Sequence, residues 1–370
     1  MFWYIVICIL MLYPFGMVIV GNVSGKNTKH MALISACFVL CFFMAMRGRN
    51  VGVDTKYYCY VFTQFPAIPW NKILTAETYA TEAAIWVFDF EPGYRIYNKL
   101  LSCLSDAEQM ITIGNSIFIF ILLYRLIREK SPDYLLSIWL YITLGIYQTE
   151  MNVARNAIAI LIVYNSFQFI EEKKIWKYLI CCLVAASFHM AALTFIPVYW
   201  IVHRKKITIL QFVVLVGVSV VLGIVFPIIS PYITGMLPYS LGKYFIKENM
   251  NLQSLMVGMF NVGVFFISYL MVQKKERKNI LATNKIGLTM ILLNTCCFGL
   301  NIGLGYASRL AALFGPYLII FIPQILERIE SQNKKSLAKA FIVILCGLVY
   351  VGRLLINNIG GTMPYQFFWQ

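Results

Sequence analysis

Residues 178–202 read YLICCLVAASFHMAALTFIPVYWIV, and the way this stretch meets a bilayer decides the fold. Lys173, Lys174 and Lys177 precede it, and Arg204, Lys205 and Lys206 follow it. As one ordinary span it would carry the second basic cluster to the face opposite the first. Every later loop would then invert, leaving the basic loops Lys274–Lys278 and Arg328–Lys339 outside, against the positive-inside rule. The segment contains its own remedy, because Phe188-His189-Met190 sits near its centre and Pro197 interrupts its second half. A re-entrant hairpin turning at His189 returns the chain to the cytoplasm and restores the charge pattern. Broken helices are tolerated where they line an enclosed or wet cavity. A single tilted span is the alternative.

Outward from this segment the chain alternates apolar runs with short basic loops. Of its 370 residues 60% are hydrophobic and 13% charged, with a mean hydropathy of +0.73. An ordinary soluble domain carries about 25% charged residues and is excluded. Spans are expected near 2–21, 31–47, 110–128, 133–149, 150–170, 207–229, 255–273, 284–306, 309–328 and 337–356. The fold class expected is therefore an all-α polytopic membrane protein of one domain over 1–370, with about ten transmembrane helices plus the re-entrant helical hairpin. The run Phe2–Gly21 has no basic residue before it and Lys26 and Lys29 after it, so it reads as a retained span. With the hairpin, about two-thirds of the 31 basic residues lie inside and both termini are extracytoplasmic. The net charge of +15 follows from that bias, and its scattered placement excludes a nucleic-acid-binding face.

One long extracytoplasmic segment, 48–109, separates the second and third spans. It holds Pro66 and Pro69, a helical stretch near 72–88, Glu91-Pro92-Gly93-Tyr94, and an amphipathic stretch near 95–104. Loops of this length are usually functional or disordered. Tyr57, Tyr58, Tyr60, Phe62, Phe65, Trp70, Trp86, Phe88 and Phe90 argue against disorder. A second loop, 230–254, is rich in Pro, Gly and Tyr. Cysteines lie mostly in apolar segments, as small hydrophobes. Cys59 and Cys103 alone fall in an extracytoplasmic segment, so no disulfide framework follows. No Cys/His spacing suits a metal, and no cofactor is expected.

Charge at membrane depth is expensive and marks candidate function. Arg47-Gly48-Arg49 through Asp54, with Gly52, could turn guanidinium and backbone N–H groups onto an anion. Placed on one helix, Gln148, Asn152, Arg155 and Asn156 form a polar stripe that must avoid lipid. Arg309 opens the span 309–328 beside Tyr306 and is another candidate anion ligand. His189 suits proton transfer from a hydroxyl. Glu91 and Asp54 are the candidate loop carboxylates: Glu91 for a sugar hydroxyl or as a base, Asp54 to orient an arginine.

The order of these motifs resembles the EpsG family of bacterial membrane proteins, related in role to Wzy-type polysaccharide polymerases. The resemblance rests on Arg47 to Asp54 with Tyr57 and Phe62, on Phe90-Glu91-Pro92-Gly93-Tyr94, and on Asn152-Val153-Ala154-Arg155-Asn156-Ala157-Ile158-Ala159. Ser187-Phe188-His189, Tyr306-Ala307-Ser308-Arg309 and Met363-Pro364-Tyr365 complete it. Asn156 departs from the glutamine that the family often carries after the central arginine.

The resemblance implies a glycosyltransferase in the bacterial cytoplasmic (inner) membrane. It would build capsule, exopolysaccharide or O-antigen-type chains from repeat units on a polyprenyl diphosphate such as undecaprenyl diphosphate. Its partners would be the lipid-linked donor and acceptor, the bilayer, and as further candidates a chain-length regulator and a flippase, with no nucleic acid. Catalysis would fall to His189, Glu91 and Asp54, diphosphate binding to Arg47, Arg49, Arg155 and Arg309, and further substrate contacts to Asn152, Asn156, Tyr94 and Tyr306. A flippase or transporter of lipid-linked oligosaccharide, a membrane acyltransferase and a glycan ligase are the competing readings.

Overall fold

The computed structural model describes residues 26–75, 86–204, 207–236, 258–267 and 282–370. Among them the chain is helical with no strand; one isolated antiparallel bridge joins Arg47 and Phe367. Four described helices are long and apolar enough to cross a membrane: Gln109–Lys130, Ile209–Tyr232, Ala307–Leu326 and Gln332–Ile356. Shorter apolar helices accompany them. The expected span 2–21 lies outside the described residues, as do 76–85 of the stretch 72–88 and most of the loop 230–254. The chain forms two compact units, one of residues 1–169, 174–196 and 331–370, the other of 170–173 and 197–330.

In the first unit the Lys26–Ala45 helix packs on Gln109–Lys130 and Tyr134–Thr143, and Gln332–Asn357 also packs on Tyr134–Thr143. Trp139 fixes that last contact, donating from Nε1 to the Val343 carbonyl at 3.1 Å while its ring fills the space beside Gly347. Helix ends leave carbonyls without intrahelical donors. The end of Lys26–Ala45 is relieved by Thr112, whose Oγ1 donates to Ala45 O at 3.1 Å, and by Gln109 Nε2.

The aromatic segment 48–109 is ordered where it is described. Phe62, Phe65, Val87, Phe90 and Tyr94 are fully buried, and a large apolar side chain removed from water stabilises by about 1.5–3 kcal/mol. Its amphipathic stretch is the helix Pro92–Ser102, seated on Ile175–Phe188 and on Gln109–Lys130.

Two expected helices are divided. Instead of one span over 133–149, Tyr134–Thr143 ends and Ile146–Asn152 begins around Gly145, which sits at φ 78°. That left-handed conformation is open to glycine at little steric penalty. Val153, at φ −101° and ψ 50°, then separates Ile146–Asn152 from Ala154–Glu171. The stripe Gln148, Asn152, Arg155, Asn156 therefore does not share one helix, and its two halves face different neighbours.

The stretch 178–202 is also broken. Ile175–Phe188 ends at His189, which is extended, and a 3₁₀ turn Met190–Phe195 follows. Tyr178 Oη donates to the Phe195 carbonyl at 2.7 Å. A continuous helix would separate these residues by about 25 Å at 1.5 Å per residue, so the chain doubles back after His189.

In the second unit, Ile209–Met236 packs on Ala282–Leu300, which also meets Ala307–Phe314. The first crossing is close because it is made at small residues: a Cβ on Gly223, Gly299 or Gly303 would overlap the backbone or side chain of the facing segment. Small residues at such crossings let helix backbones approach in a membrane. Asn294 Nδ2 donates to the Ala311 carbonyl at 2.6 Å and ties the second crossing.

Candidate functional site

Three local features of the first unit converge on one carboxylate. Glu91 stands just before Pro92, whose fixed φ suits the first position of the Pro92–Ser102 helix. Gly93 lets that helix start lie against Ser187, since a Cβ there would overlap Ser187 Oγ and come within 2.8 Å of Ser187 Cβ. The break at His189 frees the first N–H of the following turn, and Met190 N donates to Glu91 Oε1 at 3.1 Å. His189 Nδ1 lies 2.9 Å from the same oxygen. Arg155, in the first turn of Ala154–Glu171, donates from Nη1 to Glu91 Oε2 at 2.7 Å.

The guanidinium is held from several sides. Nη1 also reaches the Asp89 carbonyl at 3.3 Å, and Nε reaches Tyr58 Oη at 3.5 Å. Cζ lies 4.5 Å from the centre of the Phe90 ring and 5.8 Å from that of Tyr94. A cation over a ring face is attracted by its quadrupole, more so when partly desolvated. Side-chain exposure is 13% for Glu91, 18% for Arg155 and 31% for His189, so the cluster is half-closed and opens at the imidazole. Burial by itself would raise the Glu91 carboxyl; the His189 hydrogen bond and the Arg155 charge outweigh it and hold the group below its ordinary value. Among the described residues Arg155 Nη2 donates no hydrogen bond and His189 Nε2 has no hydrogen-bond partner. A cationic donor for an anion and a ring nitrogen for a proton thus stand on one carboxylate.

The other expected residues go elsewhere. Arg47 does not face an anion: it is 2% exposed, and its guanidinium donates to the carbonyls of Met44 and Met151 (the latter at 2.9 Å) and to Thr55 Oγ1. Arg49 is exposed and pairs with Glu108 at 3.6 Å. Asp54 caps the helix Thr55–Phe62 through its backbone position, with no side-chain cap bond. Asn152 is a buried staple, donating to Gly360 O at 2.7 Å and accepting from Val53 N. Asn156 buries its Oδ1 without a hydrogen-bond partner among the described residues. Tyr94 is fully buried, its hydroxyl accepting from Asn115 Nδ2 at 2.9 Å, and forms part of the wall behind Arg155. In the second unit Arg309 is exposed on Ala307–Phe314, with Cζ 5.7 Å from the Tyr306 ring.

The sequence assigns no site role to three contributors: the Phe90 ring, the Tyr58 hydroxyl and the Met190 N–H. Tyr58 is visible there only as aromatic content, and Phe90 as aromatic content and as the first residue of the motif that holds Glu91. The third depends on a helix break that a charge count can place but not orient.

The family model described as "EpsG family" matches residues 30–367, which takes in Glu91, Arg155 and His189. No curated protein and no solved structure matches the chain. The chain belongs to the EpsG family, the family of Wzy-type polysaccharide polymerases.

Proposed function

We propose that this protein joins oligosaccharide repeat units carried on a polyprenyl diphosphate into a capsule, exopolysaccharide or O-antigen-type chain, at the outer face of the cytoplasmic membrane. The observation that carries the reading is Arg155 meeting Glu91 and His189 within one unit, against the rings of Phe90 and Tyr94. The donor's leaving group is a diphosphate, and charge builds on it as the anomeric bond breaks. A fixed guanidinium stabilises such charge without reorganising. Arg155 binds the diphosphate in this mechanism, and the proton of the attacking sugar hydroxyl passes to the Glu91–His189 pair. The exposed aromatic side chains of 48–109, Tyr60 and Trp70 among them, offer surfaces on which sugar rings stack.

The re-entrant reading of 178–202 belongs to the same proposal. The Tyr178–Phe195 contact supports it, and it sets His189 at the tip of the hairpin, on the side from which the saccharide arrives. Reporter fusions at Lys205 and Glu276 should both read cytoplasm; a periplasmic signal at either site replaces the hairpin with a full span. The activity is tested with purified full-length protein and a lipid-linked repeat unit. A ladder of longer lipid-linked glycans is expected from the wild type and none from R155A present at equal level. Unchanged glycan length with wild-type protein would sink the polymerase reading and favour transport.

A further inference from the structure

Two groups in the cluster could receive the hydroxyl proton, and their hydrogen bonds separate them. Glu91 Oε2 is taken by Arg155 Nη1, and Oε1 by Met190 N–H and His189 Nδ1. An ionised carboxylate only accepts. Beside a guanidinium that stays charged at any working pH, it requires Nδ1 to carry the proton. Neutral imidazole has one N–H and one lone pair, so a protonated Nδ1 leaves the lone pair on Nε2. That is the nitrogen without a partner among the described residues, on the most exposed side chain of the three.

We propose that Glu91 is a positioning residue that fixes His189 with Nδ1 protonated, and that His189 Nε2 takes the proton of the acceptor hydroxyl. The assignment rests on the polymerase reading and deepens it. In the step, the acceptor oxygen forms a bond to the donor's anomeric carbon as its proton moves to Nε2. The anomeric carbon–oxygen bond breaks, and its electron pair stays on the departing lipid diphosphate beside Arg155. The imidazolium formed is stabilised by the Glu91 carboxylate and then releases its proton to water, which restores the neutral ring. A carboxylate that orients an imidazole and stabilises its charged form need never be protonated itself.

Gly93 and the break at His189 serve this arrangement together. The start of Pro92–Ser102 must approach Ser187 closely enough for one Glu91 oxygen to reach both the imidazole and the adjacent Met190 N–H. Two donors from consecutive residues on one oxygen leave the carboxylate little rotational freedom, and the ring inherits that rigidity.

The test uses the full-length protein in lipid nanodiscs with isotope-labelled histidines, and nitrogen NMR to read the tautomer. His30 and His203 are the other two histidines, and the H189Q spectrum identifies the signal from His189. In the neutral ring a protonated Nδ1 and an unprotonated Nε2 are expected, with that preference lost in E91Q. Extension of a lipid-linked repeat unit is measured in parallel. H189Q should lose at least about 10²-fold in kcat, and E91Q roughly 10–100-fold. Adding E91Q to H189Q should cause little further loss, because Glu91 acts through His189. An Nε2-protonated ring, a fully active H189Q, or multiplicative losses in the double variant would each overturn the assignment. If wild-type protein extends nothing, the polymerase reading falls, while the tautomer alone still decides what Glu91 does to His189.

Discussion

Arg47 and Arg155 are both arginines followed by small or amide residues, yet the structure uses them oppositely. Around Arg47 the hydrogen bonds end on the chain itself, at Met44 O, Met151 O and Thr55 Oγ1. The C-terminal residues close the same knot, with Gly48 N donating to Gln366 O at 2.8 Å and Phe368 N to Met46 O at 3.0 Å. Around Arg155 the partners are the Glu91 carboxylate and a set of rings, besides the Asp89 carbonyl and the Tyr58 hydroxyl, and one face stays partly open. A guanidinium ringed by carbonyls is a brace. One opposed by a carboxylate that also holds an imidazole is where the proposed mechanism puts the chemistry. The class of partner separates the two roles where residue type and local sequence do not.

The contrast breaks most sharply on substitution. R155A should lower repeat-unit extension by about 10²–10³-fold, the range for removing one donor aimed at developing charge, while the amount of protein in the membrane stays near wild type. R155K should recover little, because a point charge reproduces neither the fork nor the stacking on Phe90. R47A should do the reverse: about 3 kcal/mol of stability lost, since buried acceptors are left without donors, and a matching fall in thermal midpoint and membrane abundance. Residual protein should retain its activity per molecule. Equal effects of R47A and R155A on both readouts would erase the distinction between brace and site.

What was legible in the sequence follows from what each residue depends on. The helical class was plain from the apolar runs, and His189 stood out because a long segment between two basic clusters had to turn somewhere. Glu91 was marked by the Pro-Gly behind it. Arg47 was misread because burial by carbonyls leaves no local trace: Met151 lies 104 positions away. The stripe 148–156 was read as one helix because helical periodicity does not register a single residue such as Val153, whose neighbour Asn152 is tied to Gly360 and Val53. The Phe90 platform needed the third dimension altogether.

Smaller perturbations sharpen the comparison from each side. G93A should push the Pro92–Ser102 helix start away from Ser187, at about 1–3 kcal/mol for overpacking. The Glu91–His189 contact then lengthens, and extension should fall by roughly tenfold, as when a hydrogen bond that orients a working histidine is lost. N152A should act only on the brace. It removes the side-chain bonds to Gly360 O, Gln148 O and Val53 N, at about 1 kcal/mol for each ordinary hydrogen bond. Limited proteolysis near residues 358–370 should then speed up, with extension per molecule unchanged. A G93A protein with full activity would show that the cluster tolerates slack.

The smallest expected effect is on acid stability, and its sign follows from the Glu91 carboxylate. Burial opposes its ionisation, but the hydrogen bond from His189 and the charge of Arg155 hold it below its ordinary value of 4.5. A group that binds its proton less readily when folded stabilises the fold above its unfolded value. The stabilisation is present in full above about 4.5 and is lost as pH falls through the lower, folded value. Arg155 stays charged across the whole range, so what disappears is the carboxylate side of the pair. Thermal midpoints of wild type and E91Q should therefore differ most near neutral pH and converge in acid. Other carboxylates titrate alike in both proteins and cancel in the difference. Among the described residues no carboxylate bonds to Arg47, whose partners are carbonyls and a hydroxyl, so the gap between wild type and R47A should stay flat over the same range. A flat gap for E91Q would mean that Glu91 and Arg155 meet too loosely for their charges to count, and Arg155 would then differ from Arg47 in exposure alone.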